Sequence, residues 1–271
     1  NYNWTSYNYY MNGSKQNYMW YIDETYNNSK YRGIYFIKYR PRSCLLDTTS
    51  STDSQQAANY YYTYKVYWFK YEPVKWKILT KENDKAFLMC NMAIDSQQFN
   101  FKNYYDHNNS YKDSTIREWL NSTFYNTIFN EVQKNIIETT NIDNSERSSN
   151  PYNNTKYWNN GNNSYACENT NDKVFLLSEY EVTNPAYGFN SVETATNATL
   201  QLKSSDYAKS QGCWQGWSDS EYLGISEWYL RSPCYDDICN VRSVDFKGSP
   251  NSFCFDSITG AGIVPALWIM L

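Results

Sequence analysis

Histidine is almost absent from this chain, since His107 is the only one among 271 residues. It lies in a polar stretch, YYDHNNSYK, that is typical of a surface loop. Nucleophilic catalysis by Ser or Cys needs a base within hydrogen-bond reach, so a catalytic triad in this protein would have to use His107. No spacing of Asp and Glu selects a pair of acids for glycoside hydrolysis either. We therefore expect a protein that is not an enzyme.

Metal-ligand patterns are missing as well. The seven cysteines include no C-x-x-C pair, and a single histidine cannot complete an ordinary zinc site. The acidic stretch YDDIC lacks the alternating oxygen ligands of a calcium loop. We expect no bound metal and no cofactor.

Clusters of basic residues and long apolar runs are also lacking. The formal net charge is -4 with a pI near 5.2, and Lys and Arg are scattered, so no basic stripe is available for a phosphate backbone. The longest apolar stretch, GIVPALWIML at the C-terminus, has about half the length of a membrane span and contains a proline. We expect neither nucleic-acid binding nor a membrane span. The opening stretch, NYNWTSYNYY, has no basic region or apolar run, so it is not itself a signal peptide.

Tyrosine and asparagine are abundant, and eight N-x-[ST] glycosylation acceptors are present. The abundance of Tyr and Asn has either a functional reason or a simpler one, the codon bias of an A/T-rich genome. The number of acceptors is only slightly above the number expected by chance from the composition. In a secreted protein such acceptors carry surface glycans. The most exposed candidates are Asn121, Asn153 and Asn162.

The cysteines indicate an oxidising compartment. Cys90 ends an apolar run, AFLMC, and is interpreted as a free core residue. The other six lie in polar or loop contexts and allow up to three disulfides, namely among Cys44, Cys167, Cys213, Cys234, Cys239 and Cys254. Only Cys234 with Cys239 is favoured by proximity in the sequence. We expect an extracellular or cell-surface location.

The chain divides into three parts. Residues 1–46 form a strand-rich N-terminal arm, residues 47–59 a Ser/Thr/Gln-rich linker, and residues 60–271 the main domain. Aromatic and polar residues alternate at the start of the arm, as in a β-strand, and later segments carry aromatic residues on both faces. The arm would therefore expose more apolar surface than a free tail does. It either folds back on its own domain or adds strands to a neighbouring copy, which would propagate into a helical filament. The residues expected to make these assembly contacts are Tyr2, Trp4, Tyr18, Trp20, Tyr35 and Phe36.

The main domain is predicted to be α+β. Three strands follow Tyr60, with short turns at Glu72 and Pro73 and at residues 82–84. Two short amphipathic helices are predicted over residues 114–140, with Asn121 in the corner between them and one apolar stripe, Ile128, Phe129, Val132 and Ile136. The apolar C-terminus is predicted to be a central strand, because an open apolar edge would aggregate.

Four ordered motifs carry a resemblance, namely STIREWLNSTFY, DKVFLLSEYE, WYLRSP and a terminal GIVPAL. Over roughly residues 62–271 they resemble a bacterial secreted domain family of unknown function, which is similar to C-type-lectin-like domains of the formylglycine-generating-enzyme type. The resemblance implies a mixed sheet with two short helices and long loops, a secreted setting and no assigned activity. The family's closing Arg is replaced here by Val264, so its pairing is either dispensable or rebuilt by Arg231 or Arg242.

Two kinds of ligand contact are open to these residues. Arg231 in WYLRSP either clamps a carboxylate ligand or forms an internal salt bridge with Asp236, Asp237 or Asp245. Aromatic rings stack on sugar faces, and four aromatic residues in the Asn-rich insertion and in QGCWQGWSD are candidates for this role: Tyr157, Trp158, Trp214 and Trp217.

These patterns lead to two functional hypotheses. The first is a non-enzymatic extracellular structural or adhesive protein, a homo-oligomeric fibre subunit assembled through its N-terminal arm. The alternative is a carbohydrate-binding, lectin-like module with glycan partners. Its binding would be independent of calcium, because the E-P-N and W-N-D signatures are absent.

Overall fold

The protein is a mixed α+β structure with several antiparallel sheets and few, short helices. This agrees with the fold class predicted from the sequence. The computed structural model describes residues 3–7, 10–11, 14–15, 18–40, 54–100, 109–145, 148, 167–191, 196–216, 221–234, 240–250, 252–255 and 260–271, with the backbone alone at 10–11, 14–15 and 252–255.

The described elements are short. The strands are β1 Thr5–Ser6, β2 Tyr10–Met11, β3 Ser14–Lys15, β4 Met19–Tyr26, β5 Ser29–Phe36, β6 Val66–Lys70, β7 Trp76–Glu82, β8 Lys85–Cys90, β9 Asp95–Ser96, β10 Thr140–Ile142, β11 Thr170–Asp172, β12 Phe175–Leu176, β13 Trp228–Pro233, β14 Asn240–Val244, β15 Ser252–Phe255, β16 Gly262–Ile263 and β17 Pro265–Met270. The α-helices are α1 Gln55–Ala58, α2 Thr115–Trp119, α3 Tyr125–Ile128, α4 Glu131–Ile136, α5 Glu179–Val182 and α6 Asp206–Ser210, with a π-helical turn at Leu120–Phe124 and 3₁₀ turns at Pro185–Tyr187 and Ala198–Leu200.

The N-terminal arm forms a four-stranded sheet in the order β1-β4-β5-β6. Strands β4 and β5 make a hairpin whose tip is Asn27 and Asn28, both with positive φ, the conformation that a tight hairpin turn requires. The last strand, β6, comes from the far side of the predicted linker and pairs with β5. In this structure the arm therefore folds on its own chain, the first of the two arrangements that the sequence left open.

Two further sheets, of four and five strands, hold the main core. Their strand orders are β12-β17-β8-β7 and β15-β14-β13-β16-β9. Strand β17 pairs with β8 on one side and β12 on the other, so the predicted central position of the C-terminal strand is confirmed. Its Trp268 ring stacks on Phe87 with centroids 4.8 Å apart and planes tilted by 6°. The three predicted strands after Tyr60 also exist, but they divide between sheets, since β6 joins the arm.

The helical region differs from the sequence prediction. Helix α2, the π-turn and α3 follow one another without a break, and Asn121 lies inside the π-turn instead of in a corner. The chain becomes extended at Phe129, and Asn130 begins α4 with a capping box. Val132 and Ile136 are 76% and 41% exposed, so the predicted apolar stripe is wrong at those two positions. The spacing of apolar residues did not indicate that one helix ends at Ile128 and a new helix begins after Asn130. The break changes which residues of the second helix face the core.

Part of the predicted linker is ordered and docked. Ser54 caps α1, and Gln56 is buried, with its amide donating to the Ser210 carbonyl at 2.8 Å. The Gln56 side-chain oxygen accepts from the backbone amide of Arg40 at 2.7 Å. The buried Arg40 guanidinium donates to the carbonyls of Ser96 and Gln211, at 2.8 and 3.1 Å. Both ends of the segment between arm and main domain are thus held against the main domain.

Among the described residues, no helix has the length and apolar content needed to cross a membrane.

Candidate functional site

Arg231, a candidate for binding a carboxylate ligand, forms an internal salt bridge instead. Its side chain is only 3% exposed, and its guanidinium is bonded to Glu181 and to the Leu176 carbonyl at 2.7 Å. Glu181 also completes the capping box that begins α5 at Ser178. The sequence alternative of a salt bridge is therefore correct in kind, but the partner lies in the VFLLSEYE motif and is not Asp245. Asp236 and Asp237 lie outside the described residues.

The other arginine of that region behaves in the same way. Arg242 pairs with Glu179, with Nε 3.4 Å from Oε2, and both side chains are buried. Val264, the position where the resemblance implied an Arg, is fully buried in the apolar core. Arg231 and Arg242, on neighbouring strands, thus pair with carboxylates of the same chain, while Val264 packs in the core.

The aromatic residues predicted to bind sugar do not form a described site. Trp214 packs against the core, and its ring lies so close to Gly260 that an added Cβ would come within 2.1 Å of it. Tyr157, Trp158 and Trp217 lie outside the described residues. Trp214 is therefore better explained as packing than as a ligand platform.

Four described cysteines carry free thiols: Cys90, Cys167, Cys213 and Cys234. Cys90 is buried, as predicted, and burial raises its pKa to about 11. Cys213 is also fully buried, and burial raises its pKa to about 12. The structure thus has no bridge at three of the six predicted cysteines. The side chains of Cys44, Cys239 and Cys254 lie outside what it describes.

Asn121 is used inside the fold. Its side-chain amide donates to the carbonyls of Arg117 and Val174, at 3.1 and 2.9 Å, and its oxygen accepts from the backbone amides of Lys173 and Val174. No amide hydrogen is left for a glycan, which counts against the predicted modification at Asn121. Asn153 and Asn162 lie outside the described residues.

The two faces of the N-terminal sheet differ. Residues paired across antiparallel strands share a face, and the inner face carries Met19, Ile34 and Phe36, which are buried with Tyr39 in a second apolar cluster. The alternating residues point the other way. We define this outer face by its three rows across β4, β5 and β6: Trp20, Tyr35 and Val66; Ile22, Gly33 and Trp68; Glu24, Tyr31 and Lys70.

The predicted assembly residues divide between these faces. Phe36 is fully buried on the inner face, and Tyr18 packs against the same cluster. Trp20 and Tyr35 lie on the outer face and stack with centroids 5.9 Å apart, and the Trp4 ring lies 6.0 Å from Tyr35. Tyr2 lies outside the described residues.

Trp68 completes the outer face, and sequence reasoning missed it. A Cβ added at Gly33 would lie 2.9 Å from Cη2 and Cζ3 of Trp68, so the indole lies on the glycine. The Trp68 residue is still 43% exposed. The available signal was the alternation in VYWFK, which places Tyr67 and Phe69 inward and Val66 and Trp68 outward.

A polar network joins the inner face to the main domain. Arg32 makes two hydrogen bonds of 2.8 Å to Asp23, and Tyr71 donates to the same carboxylate. Partial burial acts to raise the Asp23 pKa, but the hydrogen bonds and charge of Arg32 outweigh it and lower that pKa. The hydroxyls of Tyr7 and Tyr207 lie 2.6 Å apart, which links the arm to α6.

Asp95 lies beside this network, in β9. Burial raises its pKa to about 6, although the Ser96 amide and the charges of Arg40 and Arg32 act in the opposite direction. In the described part of the chain, His, Cys, Asp and Glu form no group of three that could hold a metal ion.

Comparison with known proteins assigns most of the main domain to a family. Residues 78–271 match the model of a family described as a domain of unknown function, DUF6273. The chain belongs to this family. No curated protein and no solved structure matches it. The match begins within β7, so the outer face, built from residues 4–70, precedes the DUF6273 domain.

Proposed function

We propose that this chain is a non-enzymatic extracellular protein of structural or adhesive type, which acts through the outer face of its N-terminal sheet. The observation that supports this most is the exposure of aromatic rings there. The inner face is already covered by the main domain, yet Trp68 and Val66 on the outer face remain 43% and 45% exposed. Exposed apolar surface that is contiguous marks a contact site in soluble proteins.

A structural role also fits the charged residues of the sequence motifs. Arg117 holds Asp172, and Arg231 holds Glu181, so each pair joins segments that are distant in the chain. The extracellular setting rests on the sequence, through its cysteines, its glycosylation acceptors and its resemblance to secreted domains.

Assembly into a helical fibre is the second candidate. The observation that favours it is the position of β6 at the end of the sheet order, since no described strand pairs with its outer side. An open edge of this kind accepts an added strand through backbone hydrogen bonds. Assembly would then bring a second copy to β6, whose outward-facing residues are Val66, Trp68 and Lys70.

The test uses secreted full-length protein and a double variant, Trp20→Ser with Tyr35→Ser. Sedimentation and negative-stain microscopy measure assembly, and a binding assay on the producing organism's surface measures adhesion. We expect the native protein to assemble or adhere and the folded double variant to lose that property. Tyr60→Ser, which removes a tyrosine that is 78% exposed elsewhere, is the control and should behave as the native protein does.

Deleting residues 1–40 is a poorer test. It would uncover the inner-face partners Tyr61, Tyr67 and Phe69, and the resulting aggregation would obscure the result. The proposal fails if the native protein stays inside the cell, or if it is monomeric and binds no surface at high concentration.

A further inference from the structure

We propose that Asn27, at the tip of the β4–β5 hairpin, is a site of N-linked glycosylation. The inference rests on the extracellular setting of the proposed function and concerns a modification that does not involve the outer face. Asn27 was not among the three acceptors that the sequence favoured. Its assignment comes from the fold, which closes some of the N-x-[ST] acceptors and leaves this one open.

N-linked glycosylation sets clear structural demands on its acceptor. The side-chain nitrogen of Asn bonds to the anomeric carbon of a sugar, and a Ser or Thr must stand two residues later. The donor is a lipid-linked oligosaccharyl diphosphate. Its anomeric C–O bond breaks, the lipid diphosphate leaves with the electron pair, and the amide gives up one proton. An amide that is buried, or that donates all its hydrogens inside the fold, does not fit this reaction.

The side chains of the Asn27 acceptor are available. Asn27, Asn28 and Ser29 give the sequence N-N-S, and both asparagines are exposed. Among the residues that the structure describes, none forms a hydrogen bond with the Asn27 side chain or with the Ser29 hydroxyl. Both groups that the reaction requires are therefore unused by the fold around them.

The backbone presents the acceptor at the end of a hairpin. Asn27 and Asn28 are the two loop residues after the pair Tyr26 and Ser29, with φ of 47° and 59°. Asn tolerates this conformation better than most side chains do. All residues from Glu24 to Asn28 are exposed, and Tyr26 is 69% exposed. A bulky glycan at the tip would therefore not disturb buried residues.

The other described acceptors differ. Asn121 uses its amide hydrogens inside the fold, as shown above. Asn197 is 7% exposed, and its side-chain oxygen accepts from the Thr199 amide and hydroxyl, at 3.0 and 2.6 Å. Asn3 is exposed, but it comes directly before the edge strand β1, whereas Asn27 lies in a turn outside any strand. Of these four acceptors, Asn27 combines exposure, an unused amide and a turn.

A glycan at Asn27 also limits where the arm meets a partner. Glycans are bulky and hydrated, so one at the tip would cover Tyr26 and keep this end of the hairpin in solvent. Assembly or adhesion through the arm would then use its other surfaces, such as the open edge of β6.

The experiment applies glycopeptide mass spectrometry to the full chain. The protein is isolated from the producing organism and, in parallel, secreted by a eukaryotic host that carries out N-glycosylation. Trypsin releases residues 16–30 as one peptide, in which Asn27 is the only acceptor. In the same digest, peptides 118–134 and 174–203 report Asn121 and Asn197.

Three variants, made in the eukaryotic host, test the acceptor. Asn27→Asp removes the amide but keeps a residue that tolerates the turn, and Ser29→Ala removes the hydroxyl. Asn28→Gly is the matched control, because it preserves both the acceptor sequence and the positive φ. Thermal unfolding confirms that each variant is folded.

We expect the 16–30 peptide to carry one glycan in the native protein and in Asn28→Gly, and to lose it in Asn27→Asp and Ser29→Ala. The two comparison peptides should stay unmodified. The inference is overturned if peptide 16–30 of the native protein carries no glycan from either source. It is equally overturned if all three peptides carry one, since the fold would then not select the site. An unmodified Asn27 in a secreted protein that assembles or adheres leaves the proposed function standing.

Discussion

Arg117 and Asp172 are 55 residues apart in the sequence, and the Arg117 guanidinium holds the Asp172 carboxylate, with Nη2 2.8 Å from Oδ1. The Asp172 side chain is 1% exposed, and its second oxygen accepts from the Thr170 hydroxyl at 2.7 Å. The pair joins α2 to β11, the strand at the C-terminal end of the Asn-rich insertion. Arg117 lies in the stretch STIREWLNSTFY and Asp172 in DKVFLLSEYE, so the ion pair joins two stretches that are distant in the chain.

Arg117→Ala should therefore destabilise the protein by about 3 kcal/mol, because it leaves a buried carboxylate without its cation. Urea denaturation followed by tryptophan fluorescence measures the change. The control is Lys134→Ala, which breaks an exposed pair with Glu131 and should cost under about 0.5 kcal/mol. Equal costs for the two variants would contradict the structural role of the Arg117 pair.

Asn121→Ala should destabilise the protein by about 2–4 kcal/mol, since two backbone amides and two carbonyls lose their partner. Glycopeptide mass spectrometry of secreted protein should find Asn121 unmodified, while Asn153 and Asn162 remain the predicted glycan carriers. A glycan at Asn121 would mean that its side chain does not occupy the position described here.

Asp95 should make stability fall as pH rises through the weakly acidic range. Its folded pKa of about 6 lies above the unfolded value of about 3.9, so the folded state binds the proton more tightly. The stabilising contribution is complete below pH 4 and is lost as pH passes 6. Asp95 is half-buried, which limits the effect to about 2 kcal/mol.

The measurement compares Asp95→Asn with the native protein by denaturation between pH 4 and pH 7. The variant should gain stability relative to the native protein as pH rises, because only the native protein must ionise this half-buried acid. The comparison cancels the opposite trend from Asp23, whose lowered pKa stabilises the fold at higher pH. A stability difference that does not change with pH would remove Asp95 as the cause.

The buried thiols of Cys90 and Cys213 should react with a thiol reagent only after unfolding. Burial raises both pKa values, so little thiolate forms at pH 8, and the reagent has no access. The half-exposed Cys167 should react first. Mass spectrometry without reductant also tests the bridges predicted from the sequence, and a disulfide at Cys213 would contradict its free thiol in the structure.

Local sequence signals were sufficient for many individual elements. The apolar run at residues 85–90 gave a buried strand, and the apolar C-terminus gave a central one, because continuous apolar segments must be covered on both faces. The predicted helical segment began at residue 114, and Ser114 caps α2. The alternation of aromatic residues in the arm likewise predicted β-strands with two different faces.

The candidate site was visible only in part. Trp4, Trp20 and Tyr35 were singled out from the sequence, but Trp68 was assigned to another domain. Its position on Gly33 depends on the pairing of β5 with β6, which are separated by the linker in the sequence. Composition cannot specify such a long-range register.

By itself, the sequence determined the α+β class and the scarcity of histidine and basic clusters, because these are properties of composition and local pattern. Tertiary structure alone decided which partner each charged side chain found: Glu181 for Arg231, and Asp172 for Arg117. It also decided which aromatic faces were covered. Buried ion pairs and ring contacts join residues that are distant in the chain, and folding brings them together through the packing of the whole core.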